Sequence, residues 1–278
     1  IVTNNHVITL DGAAPNASLR IYLSDGSTAG GRLVGRDPYS DIAVIQATGG
    51  TGLPALPLGN SDSVAVGDPV IAIGSPLGLA DTVTSGIVSA LDRPVQPAGR
   101  AGRAPKPFFD AIQTDAPINP GSSGGPLVNA RGQVIGVDAA FDTLGSDPIT
   151  GSQGGSIGLG FAIPVNQARR VIVQLIRTGH ATHSVMGANL NGGYPGTGAQ
   201  ISTVNRGGQP SASRGGPAAR AGLRPGDVIV RLDQLPVATA YALMDAIRSV
   251  PPGSVVRLTF VRQGATHRTM LRLGSARS

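Results

Sequence analysis

The chain has 278 residues and a formal charge of +6, with 14% charged and only 3% aromatic residues. Nucleic-acid binding calls for clustered cations interleaved with stacking aromatics; here the basic residues are dispersed, apart from Arg93, Arg100, Arg103 and Lys106 in a Pro/Gly-rich stretch, and that class is excluded. There is no cysteine, which excludes disulfides, thiol catalysis and thiolate metal sites, and no apolar run reaches the ~18–20 residues of a membrane span.

The opening run, IVTNNHVITL, reads as the middle of a strand and a turn. The chain is therefore expected to begin inside a domain, with any targeting signal or anchor upstream. Short β-branched runs follow, separated by Gly, Pro, Asp and Asn. Ten strands are predicted: Val7–Leu10, Leu19–Leu23, Arg32–Gly35, Ile42–Gln46, Val70–Ile73, Thr82–Ala90, Phe109–Thr114, Pro126–Asn129, Gln133–Asp138 and Leu159–Ile163. Asp25-Gly26 and Arg131-Gly132 are hairpin signals. No long helical period interrupts them, so this part reads as an all-β barrel or sandwich.

A helix follows. Ala168, Val171, Ile172, Leu175 and Ile176 make one apolar stripe, with Pro164 before it and Gly179 as its C-terminal stop. Residues 180–184, HATHS, read as a short linker. The remainder mixes an apolar run at Val185–Leu190, a short helix Pro217–Ala221, a strand Val228–Leu232, a helix Ala240–Val250 with Thr239 as N-cap, and strands Val255–Arg262 and His267–Leu273 around a Gly264 turn. That is a second module of mixed α and β structure.

The segment NPGSSGGP, residues 119–126, carries the chemistry. A nucleophilic serine needs a base, a group that orients the base, and donors for a developing oxyanion. Of the four histidines, His180 and His183 fall in the linker and His267 on a polar strand, which reads as solvated surface. His180-x-x-His183 has no further ligands to make a metal site. His6, in TNNHV, sits where a polar turn meets an apolar run. Asp41, in YSDIAVIQ, stands at the mouth of the most apolar strand of the first half; Asp37, Asp62 and Asp68 read as solvated flanking carboxylates. His, then Asp before a buried strand, then Gly-x-Ser-Gly-Gly is the chymotrypsin-type order of a triad. In that geometry the amides of the serine and of the residue two before it form the oxyanion hole. Ser123 has Gly121 at that place, whereas Ser122 would have Pro120, which has no N–H to give. Ser123 is therefore the expected nucleophile.

TNNHV, SDIAV and TDAPINPGSSGGPLVN together resemble the three catalytic blocks of the HtrA (DegP-like) family of serine proteases. GSIGLGFAIPVNQA resembles the segment that closes its protease domain. PAARAGLRPGDVIVRLD is similar to its PDZ domain, and HSVMGANL resembles that domain's carboxylate-binding entrance. A single PDZ module and the 91–107 loop resemble the membrane-anchored, actinobacterial type. The resemblance implies a mainly β protein: a chymotrypsin-like double β-barrel lacking its first strands over residues 1–179, a linker at 180–184, and an α+β PDZ domain over 185–275. It implies His6 as general base, Asp41 as its partner, Ser123 as nucleophile, and the Gly121 and Ser123 amides as oxyanion hole. Ile118, Ala139, Ala140 and Leu159 correspond to the primary specificity pocket, suited to a small aliphatic side chain. The strand at Asp138–Ala140 would pair with extended substrate. Met186, Gly187 and Ala188 would receive a peptide C-terminus.

The activity so implied is ATP-independent serine endopeptidase action on misfolded extracytoplasmic proteins through an acyl-enzyme, by a homotrimer held at the membrane through an N-terminal anchor outside this sequence. No cofactor or metal is implied. The family's loops matching roughly 91–107 and 139–156 would switch the oxyanion hole. Two departures stand out. Ser122 replaces the family's usual Asn, and the strands leave a double barrel incomplete at its N-terminal side. Both raise the alternative of a catalytically weak chaperone or PDZ adaptor.

Overall fold

The computed structural model describes residues 1–9, 18–49, 52–75, 82–95, 109–139, 158–204, 213 and 215–278. They form two units, Ile1–Ala181 with Ser278, and Thr182–Arg277.

The first unit is built from two antiparallel sheets. Strands β1 (Val2–Asn4), β2 (Leu19–Tyr22), β3 (Thr28–Asp37) and β4 (Ile42–Thr48) lie in the order β1-β4-β3-β2. The apolar run after Asp41 becomes the central strand β4 because both of its neighbours bury it; Ile42 and Ala43 have no exposure at all. The expected strand Val7–Leu10 is not one. Asn5–Ile8 is instead a single helical turn, α1, and the strand lies before the histidine, at Val2–Asn4. The apolar letters of VITL mimic a strand, but the Asn5 amide goes to the Asp41 carbonyl and turns the chain away from the sheet.

The second sheet closes on itself. Strands β5 (Pro69–Gly74), β6 (Thr82–Val95), β7 (Phe109–Thr114), β8 (Pro126–Asn129), β9 (Val134–Asp138) and β10 (Gly160–Pro164) form a barrel in the order β10-β7-β6-β5-β8-β9. Closure removes both edges, and the interior fills with small and branched side chains, Val70, Ala72, Val88, Ile112, Leu127 and Ala162 among them.

Helix α2 (Val165–Thr178) follows, and it ends as expected on Gly179, at φ +77°, whose amide bonds the Leu175 carbonyl at 2.9 Å. It buries Val165, Ala168, Val171 and Leu175. Ile176, placed on the stripe by sequence, is 60% exposed, because an eighth residue has rotated some 80° off the Ala168 line.

The second unit begins earlier than the expected linker allows. Thr182–Val185 is strand β11, paired with β17 (Gly274–Arg277). Its other strands are β12 (Ala199–Gln200), β13 (Val228–Leu232), β14 (Leu235–Pro236), β15 (Val255–Arg262) and β16 (Ala265–Arg272), with the order β12-β13-β15-β16. Helix α3 (Pro217–Arg220) and helix α4 (Ala240–Ser249) complete it. Thr239 caps α4 by accepting from the Ala242 amide at 3.1 Å. Met186, Ile201, Ile229, Leu243, Ile247, Leu258 and Leu271 make a single core.

Candidate active site

Strand β1 delivers His6 to Asp41 because it pairs with the start of β4, Asn4 opposite Ile42. Asp41 lies in the left-handed region at φ +58°, a conformation that aspartate tolerates better than most residues. Its backbone carbonyl accepts from the Asn5 amide and from Asn4 Nδ2, each at 3.0 Å. Its carboxylate faces the histidine with both oxygens: Oδ1 accepts the His6 backbone N–H at 2.9 Å, and Oδ2 lies 2.6 Å from His6 Nδ1. Asp41 is 1% exposed and the imidazole 44%. A carboxylate at that distance holds the proton on Nδ1 and leaves Nε2 as the basic nitrogen.

The turn before Asp41 is built by a residue read from sequence as solvated. Asp37 is fully buried. Its carboxylate accepts the amides of Tyr39 and Ser40, each at 3.2 Å, and the Ser40 hydroxyl. The signal available in the sequence was local: Asp followed by Pro-Tyr-Ser is an Asx-turn pattern. Asn4, also fully buried, was missed as well, although it adjoins the histidine.

Residues 119–125 form two consecutive turns. The Ser122 amide bonds the Asn119 carbonyl at 2.8 Å, with Pro120 second and Gly121, at φ +99°, third: the residue pattern of a type II turn. The Gly125 amide bonds the Ser122 carbonyl at 3.0 Å, with Ser123 second and Gly124, at φ +85°, third. Ser122 is the corner shared by both, and its own amide and carbonyl are consumed there. It is 6% exposed and lies against Gly74, where an added Cβ would meet its Cα at 2.7 Å. Ser123 is half-buried on the second turn. The peptide between Gly121 and Ser122 is held from both sides, its carbonyl accepting from the Ser75 amide at 3.3 Å. The amides of Gly121 and Ser123, the expected oxyanion donors, flank that fixed peptide.

The turn is held from below by β9. The Gly124 amide donates to the Asp138 carbonyl and the Asp138 amide to the Gly125 carbonyl, both at 2.8 Å. From the side it meets β1: a Cβ on Gly124 would stand 3.2 Å from the Asn4 nitrogen. Those contacts bring the Ser123 turn beside the strand that leads into His6.

Of the residues expected around a specificity pocket, Ile118 is buried in the barrel interior, and Leu159 is half-buried beside Gly160, where an added Cβ would meet Ile118 Cδ1 at 3.0 Å. Ala139 packs in a different cluster, with Val137, Ile163 and α2, and its amide bonds the Phe161 carbonyl. Ala140, the 96–108 part of the first loop and residues 140–156 of the second lie outside the described residues. Asp138 is fully buried, neither carboxyl oxygen has a hydrogen-bond partner among the described residues, and burial pushes the group well above the usual carboxylate range. Asp115, also unnoticed in the sequence, accepts the Ile87 amide at 2.7 Å and ties the segment before Ile118 to β6.

In the second unit, Met186, Gly187 and Ala188 line a cavity of about 480 Å³ with Val185, Leu190, Met244 and Ile247. The Met186 carbonyl accepts from Ala218 and the Gly187 carbonyl from Ser213. Gly187 is at φ +70°, and a Cβ there would meet Pro217 Cδ at 2.8 Å. An apolar lining of this kind suits an apolar side chain, as expected for the last residue of a bound peptide.

Residues 1–137 match the trypsin-like peptidase domain, and residues 188–273 match the PDZ domain. The solved structure of the HtrA-type protease AlgW with decapeptide superposes with a TM-score of 0.72 at 34% identity, covering 99% of this chain and 79% of that one. The chain belongs to the HtrA-type protease family. Another member, serine protease PepD of Mycobacterium tuberculosis (strain ATCC 25618 / H37Rv), is 48% identical over 281 residues, or 99% of this chain and 58% of that protein. The periplasmic serine endoprotease DegP of Escherichia coli (strain K12) is 39% identical over 275 residues, 95% of this chain and 52% of that protein. This HtrA-type chain thus spans little more than half the length of these two relatives. Its architecture is mainly β, a trypsin-like half-barrel and barrel followed by a PDZ module.

Proposed function

We propose that this chain is the catalytic and peptide-sensing part of an ATP-independent serine endopeptidase. The observation that carries the reading is the two-point grip of Asp41 on His6, by Oδ1 at 2.9 Å and Oδ2 at 2.6 Å, in the unit whose 119–125 turn carries Ser123 two residues after Gly121. His6 Nε2 takes the Ser123 hydroxyl proton as Oγ attacks a peptide carbonyl. The developing oxyanion sits on the Gly121 and Ser123 amides. The imidazolium then gives its proton to the leaving amine, and an acyl-enzyme remains. Water, deprotonated by His6, releases the acid and restores the hydroxyl.

The proposed substrates are misfolded or damaged extracytoplasmic proteins, with Ile118, Asp138, Ala139, Ala140 and Leu159 around the residue before the cut. The Met186–Ala188 loop is proposed to receive peptide C-termini. A homotrimer in the cell envelope, anchored through a segment outside this sequence, is the proposed setting; the name of the DegP relative, a periplasmic endoprotease, supports the compartment.

A fluorophosphonate probe tests the assignment. Labelling is expected in the parent chain and in Ser122→Ala and absent in Ser123→Ala. Labelling that persists in Ser123→Ala and disappears in Ser122→Ala would overturn it.

A further inference from the structure

Asp138 has a backbone and a side chain with opposite needs. Its backbone is fully engaged: N–H to the Gly125 carbonyl and C=O from the Gly124 amide, both at 2.8 Å. These two bonds grip the residues immediately after Ser123. Its carboxyl has no exposure and no partner for either oxygen among the described residues. Directly opposite on β10 stands Ala162, and opposite Ala162 on β7 stands Ile112, so Asp138 shares a face with apolar residues of the barrel.

A buried carboxyl without donors is tolerable when neutral and very costly when charged. On ionisation it must acquire N–H donors. Those of its described neighbours are already spent: Asp138 N–H on Gly125, Ala139 N–H on Phe161, Gly124 N–H on Asp138. Among the described residues no cation is paired with it. Strands β8 (PLVN) and β10 (GFAIP) carry no titratable side chain, nor does the 119–125 turn. On α2 the charged residues are Arg169, Arg170 and Arg177, all exposed, with Arg169 donating to the Gly59 carbonyl. Of the other carboxylates in this unit, both oxygens of Asp41 face His6, Asp115 holds the Ile87 amide, and Asp110 on β7 is engaged elsewhere.

We propose that Asp138 is a positioning residue for the nucleophile turn that works only with its carboxyl uncharged: ionisation breaks a backbone bond that holds Ser123 in place. The inference rests on the protease reading for its link to activity. The proton leaves to solvent as hydroxide-ward pH draws it off, and the carboxylate takes an amide from the Gly124–Gly125 clamp. The Ser123 turn loosens, and the oxyanion amides lose their alignment.

The test is the rate of Ser123 labelling by a fluorophosphonate across pH, for the parent chain, Asp138→Asn and Asp138→Ala. The parent rate is expected to rise with pH at first, as general-base labelling requires. It then falls about tenfold per pH unit above the Asp138 ionisation, the slope of one essential protonated group. Neither variant can ionise at this position, so whatever its absolute rate, its profile shows the rise without the fall. An alkaline limb that survives unchanged in both variants overturns the proposal. Amide hydrogen exchange of Gly124 and Asp138, measured in Ser123→Ala chains, keeps the test independent of activity and of a variant's catalytic failure. Protection of these two amides should collapse at alkaline pH with Asp138 present and persist with Asn; equal protection in both also overturns the proposal. A parent chain that is never labelled at any pH, but whose two amides open with the Asp138 ionisation, sinks the protease reading and leaves the switch standing.

Discussion

Gly124 lies against Thr3 so closely that a Cβ on the glycine would come within 2.1 Å of the threonine hydroxyl oxygen. This contact joins the turn carrying Ser123 to the strand that leads into His6. The glycine is also at φ +85°, where a side chain is strained whatever the space. Gly124→Ala must therefore push the turn away from β1. The expected result is a loss of about 10²-fold or more in kcat, the scale for a displacement of about 1 Å in a reacting group. Far-ultraviolet circular dichroism should be retained, because the closed barrel does not depend on this contact. Unchanged kcat would mean that the turn and the strand are not held in register here.

Asp41→Asn tests the tautomer. The amide can still accept from the His6 backbone, but its NH₂ toward Nδ1 favours the ring with its proton on Nε2, the wrong nitrogen for a base. A drop of about 10⁴-fold in kcat is expected, with KM little changed, as for loss of the orienting acid of a triad. A drop of tenfold or less would indicate that His6 is oriented by something other than this carboxylate.

The distinction between the two serines was legible because it depends on covalent facts. Proline has no N–H wherever it is placed, and glycines in third positions of turns predict positive φ without tertiary information. Gly121 and Gly124 behave accordingly, at +99° and +85°. Burial of polar side chains was not legible. Asp37, Asp62 and Asp68 look alike in the sequence, yet Asp37 is sealed beneath the turn before Asp41 while Asp62 is exposed. What separates them is the short β3–β4 turn that Asp37 closes through the Tyr39 and Ser40 amides; Asp-Pro-Tyr-Ser signals the turn but not that the sheet buries it. The strand assigned to Val7–Leu10 failed for a related reason: apolar alternation over four residues cannot tell a strand from one helical turn fixed by the Asp41 backbone. Thr182–Ser184 read as a linker because the strand partner of β11, Gly274–Arg277, is some ninety residues away.

In the PDZ unit, Asp227 is 1% exposed and takes Arg262 on both oxygens, each at 2.7 Å, while its Oδ2 also accepts the Arg224 amide at 2.8 Å. It fixes the turn Arg224-Pro225-Gly226 that opens β13. Asp227→Ala should destabilise this unit by about 2–3 kcal/mol in denaturant unfolding, from the loss of charge-assisted bonds and the stranding of an amide. Arg262→Ala leaves the carboxylate buried with a single donor and should be more damaging than its own quarter-exposed side chain suggests. If Arg262→Ala is the milder of the two by far, the buried carboxylate is being satisfied by water.

The cavity at Met186–Ala188 makes a separate prediction about ligand ends. A peptide with a free C-terminal carboxylate and an apolar last residue should bind the chain. The same peptide amidated should bind at least about tenfold more weakly, because backbone N–H groups favour an anion. Gly187→Ala should abolish the difference, since φ +70° and the approach of Pro217 leave no place for a methyl group. Equal binding of acid and amide in isothermal titration would remove the carboxylate from the recognition.

Asp138 also fixes the sign of a pH dependence in stability. Burial raises its carboxyl above the ordinary range in the folded state, while the unfolded chain keeps it near about 3.9. The folded state therefore binds this proton more tightly. The stabilisation is fully present below the unfolded value and is lost as pH rises through the folded one. Asn has no such proton, so Asp138→Asn isolates the effect: any fixed cost of the amide is the same at every pH. In Ser123→Ala chains, to prevent self-cleavage, the Tm of Asp138→Asn relative to Asp138 should be lowest in acid and climb with pH. The gain should approach about 1.4 kcal/mol per pH unit between the two ionisations and level off beyond the folded one. A Tm difference that stays flat across pH would mean the carboxyl is hydrated or paired in the folded protein. A difference that falls as pH rises would mean it ionises more readily folded than unfolded, the reverse of what a buried, unpartnered acid does.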